Sequence, residues 1–381
     1  MREKKIKKLP ANVYQEELLY QIGLTLLPQI GDVLAKNLVS YCGSASAVFK
    51  AKEKQLQKIP GIGEIHARLI HQNKSVLKRA EEEVKFMERY TIKPLFFTDG
   101  DYPRRLKNCH DSPVLMYYKG NADLNAEKIV AVVGTRTPDD YGKLLTEQFV
   151  AELKGSGVLV VSGLAYGIDI AAHRASLENG LNTVGVVAHG LDRVYPGSHK
   201  AVAAKMLQQG GLLTDFMSGT NPDAVNFPKR NRIVAGMCDA LVVVQSKKEG
   251  GSLITATIAN SYNRDVFAFS GRAGEVLSEG CNGLIKRNKA ALIEHAADLT
   301  DAMNWNVSEK KNPKKQLPLM ISLTEEEQAL AAVFKETKLL HLDDICYASG
   351  KSVSEASTIL LQLEFQGLIK SKPGKMYEFL G

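Results

Sequence analysis

The sequence predicts an α/β protein built around a doubly wound parallel sheet, with a small helical domain before the sheet and a winged helix after it. Between residues of about 128 and 300, apolar runs alternate with amphipathic stretches such as YGKLLTEQFVAELKGSG. The runs are continuous in Val, Ile and Leu, which indicates strands buried on both faces of a sheet. Regular alternation of strand and helix implies right-handed crossovers, and therefore a parallel sheet of the Rossmann-like type.

Composition and charge indicate an ordinary globular chain. Its 381 residues are enough for two or three domains. Lys and Arg exceed Asp and Glu by 49 to 42, and the net charge of +7 permits an acidic partner without requiring one. The five cysteines form no C-x-x-C pair, so we expect reduced thiols in a cytoplasmic protein. No apolar run of ~18 residues occurs, and the basic start MREKKIKKLP lacks an apolar continuation, so we expect neither a membrane span nor a signal peptide.

The N-terminal part, residues 1–85, is predicted to form short helices that contain an internal repeat. LPQIGDVLAKNL (27–38) and IPGIGEIHARLI (59–70) each place a turn before an amphipathic helix. The pattern resembles a SAM-like helix-hairpin-helix, in which backbone N–H groups at a helix N-terminus meet a nucleic-acid phosphate. Gln29 stands where the second copy has Gly61, so we expect the second hairpin to approach a phosphate backbone more easily. A helical packing or docking domain remains an open alternative.

Seven strands are predicted in the central domain, residues 86–305. They are IVAVVG (129–134), VLVVSG (158–163), TVGVVAHG (183–190), LLTDF (212–216), ALVVVQS (240–246), VFAFSG (266–271) and ALIEHA (291–296). In an open parallel sheet, ligands bind beyond the carboxyl ends of the strands, where loops lead into helices. The loops that follow these strands are therefore the candidate ligand sites.

The C-terminal part begins with a polar, basic, Pro-containing linker, residues 306–318. Residues 319–381 then predict a winged helix. Thr324 with Glu327, and Ser352 with Glu355, have the spacing of capping boxes that open helices. The closing GLIKSKPGKMYEFL predicts two short strands around a Lys-Pro-Gly turn.

The loop after the first strand carries Gly134, Thr135 and Arg136. A dinucleotide site would need G-x-G-x-x-G here, and Arg136 stands where its second glycine would admit a pyrophosphate. The sequence also contains no G-x-x-x-x-G-K-[ST], so a P-loop ATPase is excluded. Arg136 is interpreted as an anion ligand, with a solvated or salt-bridged arginine as the alternative.

A basic cluster follows in FPKRNRIVAG (227–236), where Pro228 suits the first position of a helix. The cluster consists of Lys229, Arg230 and Arg232. Cations in the first turn oppose the helix dipole, which favours an anion docking there. Asn231 can donate to a phosphate or to a base edge. Phe227 could offer a stacking face or simply belong to the core.

A third loop contains Gly250, Gly251 and Ser252 at the start of the predicted helix SLITATIAN. Two glycines before a serine are typical of a phosphate nest with a capping hydroxyl. The alternative is that Ser252 is only an N-cap.

The stretch SGLAYGIDIAAHRA (162–175) raises the question of catalysis, because it holds Ser162, Asp169 and His173. It lacks the G-x-S-x-G of a nucleophile elbow. Asp169 and His173 are four residues apart, so we expect them to pair locally on one helix face and orient the loop. We therefore interpret His173 as structural and Gly163 with its neighbouring backbone as a phosphate-facing corner.

Several anion-binding corners along one sheet edge exceed what a single nucleotide needs. A row of such corners matches a row of phosphates, that is, a single-stranded polynucleotide across the edge.

These residues also resemble a known family. The motifs GTR (134–136), SGLAYGID (162–169), YPGSHK (195–200), FPKRNRI (227–233), EGGSLITA (249–256) and GCNGLI (280–285) are similar, in order and setting, to those of the DNA-processing protein A (DprA/Smf) family. The upstream DYPRRLKNCHDSPVLMYYKGN (101–121) is also similar to the approach to that family's first strand.

The resemblance implies a single-stranded DNA-binding protein of natural transformation. Such a protein protects incoming DNA, loads the RecA recombinase and acts as a homodimer through its central domain, with no cofactor, no metal, no membrane and no known enzymatic activity. It places the DNA site on Arg136, on the corner of Ser162 and Gly163, and on the basic cluster, with Phe227 adjacent.

Two other functions remain as alternatives. The Gly-Gly-Ser helix start loosely resembles the loop of lysine-decarboxylase-like nucleotide phosphoribohydrolases, but residues 253–258 lack the carboxylate that follows that loop. A transcription factor acting through the winged helix is the third hypothesis. The last helix, SVSEASTILLQLEFQG, contains no Lys or Arg, so we expect this domain to dock a partner rather than to read duplex DNA.

Overall fold

The computed structural model describes residues 11–73, 75–305, 323–335 and 337–380. The basic start of the chain and the linker predicted at 306–318 lie outside these ranges. Among the described residues, no helix is both long enough and apolar enough to cross a bilayer.

The N-terminal region consists of six helices. They are α1 (Ala11–Thr25), α2 (Asp32–Cys42), α3 (Ala45–Lys50), α4 (Glu53–Leu56), α5 (Glu64–Gln72) and α6 (Val76–Tyr90). Their inward-facing residues, including Ile22, Leu38 and Ile70, form a hydrophobic core that continues into Phe96 and Leu115 of the central region. The predicted boundary at residue 85 falls inside α6.

The internal repeat is confirmed in backbone conformation. Gln29 and Gly61 occupy equivalent positions and both have left-handed φ values, 62° and 83°. Gly31 and Gly63 then cap α2 and α5 with extended backbone. The hairpin turn is thus retained in the first copy, although the left-handed conformation is sterically strained for a glutamine.

The central region forms one nine-stranded sheet. Its strands are β1 (Lys93–Phe96), β2 (Leu115–Gly120), β3 (Ile129–Val133), β4 (Leu159–Ser162), β5 (Thr183–Val186), β6 (Gly210–Thr214), β7 (Ala240–Val243), β8 (Asp265–Phe269) and β9 (Ala291–Ile293). The spatial order is β1-β2-β6-β5-β4-β3-β7-β8-β9, and every pairing from β6 to β9 is parallel. The chain runs outwards from β3 in both directions, which confirms the doubly wound sheet.

Two antiparallel strands at one end, β1 and β2, are absent from the prediction. β1 has four residues and includes Pro94, which lacks an N–H to donate and is tolerated in an edge strand because one side of that strand has no partner strand. Neither strand follows the strand–helix alternation that identifies the other seven.

Helices cover both faces of the sheet. They are α7 (Arg104–Lys107), α8 (Asp140–Glu152), α9 (Ile168–Glu178), α10 (Lys200–Met206), α11 (Asn226–Met237), α12 (Gly251–Ser261), α13 (Glu279–Lys286) and α14 (Ala296–Ala302). Ile129 and Ala131 face the core beneath α11 and α12, whereas Val130 and Val132 face the core beneath α8 and α9. Alternate residues of each strand are therefore buried on opposite sides, as the continuous apolar runs predict.

The C-terminal region has the predicted winged-helix architecture. It consists of α15 (Glu325–Ala331), a 3-10 turn (Ala332–Lys335), β10 (Leu339–His341), α16 (Leu342–Ser349), α17 (Val353–Phe365), β11 (Ile369–Lys372) and β12 (Met376–Phe379). Both capping boxes are confirmed, at Thr324 with Glu327 and at Ser352 with Glu355. β12 pairs with both β10 and β11, so the sheet has one strand more than predicted.

Candidate nucleic-acid interface

The loops that follow β3, β4 and β5 meet the start of α11 at the carboxyl edge of the sheet. Such an edge collects ligands because loops and helix N-termini point the same way there. Arg136, in the loop after β3, is exposed, and its guanidinium lies 5.0 Å from the centre of the Phe227 ring at the start of α11. The loop after β4 reaches the same place, since a Cβ on Gly167 would collide with the backbone of Thr135 and Arg136.

Gly163 lies against two buried charged groups, the Asp169 carboxylate and the Arg230 guanidinium. Its N–H donates to the Asp169 carboxylate (3.1 Å), as does the N–H of Ala165 (3.4 Å). A Cβ on Gly163 would collide with the Arg230 guanidinium and with this carboxylate. Glycine is required here by close approach within the protein, whereas the sequence was interpreted as close approach of a ligand.

Arg230 is the cation of this buried pair. The residue is 3% exposed, and its Nη1 donates to the carbonyl of Val186 at the end of β5. Burial lowers the pKa of Arg230 to about 10, and Asp169 opposes this shift. Burial also raises the pKa of Asp169, against the effect of Arg230. Arg230 therefore binds the loops of the edge together and does not project into solvent.

The three residues of the basic cluster lie in different environments. α11 begins at Asn226, so Pro228 is its third residue and not its first as predicted. Lys229 is exposed, and no carboxylate of the described residues lies within ion-pair distance of it. Asn231 is half-buried at the next position.

Arg232 lies on the far side of α11 and binds carboxylates. Its Nη2 lies 2.9 Å from Asp32 Oδ2 and 3.0 Å from Asp215 Oδ2, and its Nη1 donates to the carbonyl of Asp111. Burial alone would lower the pKa of Arg232, but Asp215 and Asp32 outweigh it and raise the net value. Because Asp32 opens α2, Arg232 joins the N-terminal helices to the central sheet.

The Ser-Asp-His stretch forms no catalytic group. Ser162 is fully buried, and its hydroxyl donates to the carbonyl of Val132 (2.6 Å). The predicted pairing of Asp169 with His173 is wrong, because His173 Nδ1 instead contacts Thr183 Oγ1 (2.7 Å). His173 is fully buried, and burial lowers its pKa to about 3, so the ring is neutral and structural as predicted.

The Gly-Gly-Ser loop follows β7, on the other side of β3. Gly250 caps α12 with extended backbone, and no side chain caps this helix. Ser252 is buried and donates to Ser246 Oγ (2.9 Å), so neither proposed capping role of Ser252 holds. The backbone carbonyl of Gln245, just after β7, accepts the N–H of Thr135 (2.7 Å) and so links this loop to the loop after β3. The backbone N–H groups of Gly251 and Ser252 have no acceptor among the described residues, which leaves the nest free for an anion.

Two aromatic residues of the edge were not selected from the sequence. Tyr166 is 50% exposed in the loop after β4, and Tyr195 is 46% exposed in the loop after β5. Tyrosine has no distinctive spacing, and the only sequence signal was its place directly after a strand end.

In the described ranges, no three His, Cys, Asp or Glu side chains cluster as metal ligands would. All five cysteines are free thiols, in agreement with the prediction. The carboxyl edge thus defines a Rossmann-like protein that offers exposed cations, aromatic faces and free backbone N–H groups to an anionic ligand.

Comparisons with known proteins agree with this class. Residues 93–304 match the family model described as DNA recombination-mediator protein A, residues 314–375 match the DprA winged helix domain, and residues 22–72 match a SAM-like helix-hairpin-helix tandem. The chain is 30% identical to the protein Smf of Synechocystis, over 95% of this chain and 98% of that protein.

Solved structures show the same relationship. The X-ray structure of DNA processing protein A from Streptococcus pneumoniae has a TM-score of 0.62 at 30% identity and covers 74% of this chain and 96% of that one. DNA processing protein A from Helicobacter pylori, whose structure is described for its single-stranded DNA binding mode, has a TM-score of 0.51 at 28% identity, covering 55% and 94% of the two chains. The chain belongs to the DNA-processing protein A (DprA/Smf) family.

Proposed function

We propose that this protein binds single-stranded DNA along the carboxyl edge of its sheet. The observation that carries the proposal is the contact of exposed Arg136 with Phe227 beside the buried Arg230, with Lys229 exposed in the first turn of the same helix. Exposed cations attract phosphates, and the aromatic face is sequence-tolerant because every base has a π surface. The single-stranded DNA binding described for the relative from Helicobacter pylori supports the same ligand.

The free nest of Gly251 and Ser252 extends this site to the next strand end. Its backbone N–H groups lie after β7, which pairs directly with β3. A strand that contacts Arg136 beyond β3 and the nest beyond β7 would be bound along its backbone at two places. Of the predicted site residues, Ser162, Arg230 and Arg232 would act by shaping this surface, and Asn231 would add a donor beside Lys229.

We further propose that bound DNA is incoming DNA of natural transformation, which the protein protects and delivers to the RecA recombinase as a cytoplasmic homodimer. Family membership supports this role. Nuclease digestion of strands with and without the protein, and RecA-dependent strand exchange, would measure the two activities. Unchanged digestion and unchanged exchange would contradict the role while leaving DNA binding intact.

We propose no catalytic role for the edge. A nucleophile must reach its substrate, whereas Ser162, Asp169 and His173 are all at least nine-tenths buried and hydrogen-bonded within the protein. In α12, residues 253–258 place no acid near the nest. Release of free base from nucleoside monophosphates would contradict this proposal and favour a phosphoribohydrolase.

The winged helix is proposed to dock a partner. Its α17 presents Leu361 and Phe365 to solvent, 52% and 83% exposed, and its first acid, Glu355, is used in the cap. An apolar, cation-free helix face does not suit a phosphate backbone. Selective duplex binding by residues 319–381 alone would contradict this.

The decisive experiment is fluorescence anisotropy with labelled oligothymidylate and a matched duplex, between about 50 and 200 mM salt. We expect the single strand to bind more tightly, with an affinity that falls as salt rises. Lys229→Ala should weaken binding about tenfold, and it should reduce the slope of log K against log salt by about 0.7, because one phosphate contact is lost. Arg136→Ala should act likewise and add the loss of its stacking on Phe227.

The matched control is Lys154→Ala, because Lys154 is exposed at the opposite edge, between α8 and β4. It should leave binding unchanged. Arg232→Ala is a different test, because it leaves Asp32 and Asp215 without their counter-charge. We expect a loss of about 3–5 kcal/mol in the free energy of unfolding. A salt-independent affinity, or unaltered binding by both Lys229→Ala and Arg136→Ala, would refute the proposed site.

A further inference from the structure

Two pairs of rings lie at the carboxyl edge, and each pair contains one half-exposed tyrosine. The four rings of this aromatic row are Tyr166, His199, Tyr195 and Phe227. The Tyr166 and His199 ring centres are 5.1 Å apart, and those of Tyr195 and Phe227 are 6.3 Å apart. Tyr195 and His199 belong to one loop, whose turn is closed by the His199 N–H donating to the carbonyl of Pro196. One loop thus connects the two ring pairs, and His199 is buried beneath Tyr166 while both tyrosines remain accessible.

The two tyrosines are held in place without being buried. His199 Nδ1 lies 3.0 Å from the carbonyl of Leu164, which fastens the Tyr195 loop to the Tyr166 loop. The N–H of Tyr195 donates to His189 Nε2 (3.2 Å). About half of each tyrosine is nevertheless exposed. Rings fixed in this way lose little conformational entropy when they stack on a ligand.

The charges around the row specify what it stacks on. Arg136 lies over Phe227 at one end, and Lys229 is exposed on the same helix. Two acids near the row already have partners, since Asp169 accepts the N–H groups of Gly163 and Ala165 and Asp192 lies 2.7 Å from Arg193. A ligand for this surface carries negative charge and free π faces. Unpaired bases of a nucleic-acid strand meet both conditions, whereas a duplex hides its base faces.

We propose that Tyr166 and Tyr195 are base-stacking residues, and that the aromatic row recognises the bases of a single strand while Arg136 and Lys229 hold its phosphates. This inference rests on the proposed DNA binding and adds to it that the bases themselves contribute to affinity. The contribution does not depend on sequence, because stacking uses the face of a base and not its edge.

The test compares two ligands of equal length and charge, oligothymidylate and an abasic phosphodiester strand. Wild-type protein should bind oligothymidylate at least about tenfold more tightly than the abasic strand. Tyr166→Ala and Tyr195→Ala should each weaken binding of oligothymidylate about fivefold or more and leave binding of the abasic strand unchanged. Tyr166→Phe and Tyr195→Phe should retain wild-type affinity, because stacking requires the ring and not the hydroxyl.

Tyr41→Ala is the control, because Tyr41 is 64% exposed on α2 among the N-terminal helices. Equal affinity of the wild type for the two strands would overturn the stacking proposal and leave the phosphate site standing. Equal losses on both strands in the alanine variants would assign the tyrosines to backbone contacts and also overturn it. Absence of binding to either strand would instead overturn the proposed function.

Discussion

Gly163 illustrates how one missing side chain organises the edge of the sheet. Without a Cβ, it lets Arg230 reach across to Val186 and lets Asp169 accept two backbone N–H groups. Any side chain would displace the guanidinium from the end of β5. Ser162, Asp169 and His173 are thus buried residues that hold the loops of the edge in place, and the side chains exposed at that edge are others.

At the same scale, His173 makes the sheet region sensitive to acid. The hydroxyl of Thr183 donates to the carbonyl of Val160 (3.1 Å), so His173 Nδ1 must carry the proton that it shares with Thr183. His173 Nε2 is buried and has no partner, and burial lowers the pKa of the ring to about 3. Protonation would place an unpaired charge in the core, so the folded state resists it.

We predict that His173 destabilises the protein as the pH falls below about 6.5, the ordinary value of the unfolded chain. The unfolded state binds the proton and the folded state does not until about pH 3, so stability is lost across that window. Between pH 7 and pH 5 the loss should be about 2 kcal/mol. Urea unfolding at the two pH values should show this loss in the wild type and a correspondingly smaller one in His173→Gln. Equal losses in both proteins would contradict the prediction.

At the scale of elements, the two helical hairpins share a conformation but differ in use. In the first, Asp32 accepts the N–H of Val114 (2.8 Å) and binds Arg232, so the start of α2 is docked against the central sheet. In the second, Gly61, Gly63 and Glu64 are exposed. The first hairpin is therefore a packing element, and a phosphate contact stays a prediction for the second.

Gln29→Gly is predicted to raise the free energy of unfolding by about 0.5–1 kcal/mol. Glycine removes about 1–2 kcal/mol of left-handed strain and costs about 0.5–1 kcal/mol of extra chain entropy. Gln29 is exposed, so no packing is lost. Gly61→Gln should have the opposite effect, and Gly31→Ala, where φ is −82° and a Cβ meets no atom, should change little. Thermal unfolding of the three variants measures this, and a destabilised Gln29→Gly would contradict it.

At the scale of the whole molecule, the winged helix docks on the amino edge of the sheet, away from the proposed DNA site. Arg264, before β8, lies 2.5 Å from Asp343 at the start of α16 and also donates to the carbonyl of Arg105 (2.8 Å). The Arg264 side chain is 3% exposed. Burial would raise the pKa of Asp343, but Arg264 outweighs it and lowers the net value. Trp305 lines a cavity of about 570 Å³ between the two regions.

Asp343→Asn is predicted to release the winged helix by leaving Arg264 without its counter-charge. Trp305 is the only tryptophan in the chain, so its emission should shift to the red and become more accessible to iodide. Lowering the pH through the depressed pKa of Asp343 should do the same in the wild type, because the carboxylate must be charged for docking. Asp344→Asn is the control, since Asp344 lies 3.8 Å from the half-exposed Arg104.

Asp343→Asn should retain wild-type affinity for single strands, because the winged helix and the proposed DNA site lie at opposite edges of the sheet. Unchanged Trp305 emission in Asp343→Asn would show that the ion pair does not hold the domain.

The sequence by itself determined the local architecture: the parallel strands, the repeated hairpin, the capping boxes and the winged helix. Each of these follows from periodicity or spacing within a few residues, and such short-range patterns are visible in a linear chain. The same holds for the place of the candidate site, because the carboxyl ends of parallel strands must share an edge.

Only the tertiary structure decided what each charged residue of FPKRNRI does. Lys229, Arg230 and Arg232 look alike in sequence, yet one is exposed, one is buried beneath the loops and one binds Asp32, which lies 200 residues away. Helical rotation points the three side chains in different directions, and the partners that await them come from distant segments. The free energy of burying a charge depends on those partners, so the role of each arginine is a property of the folded chain.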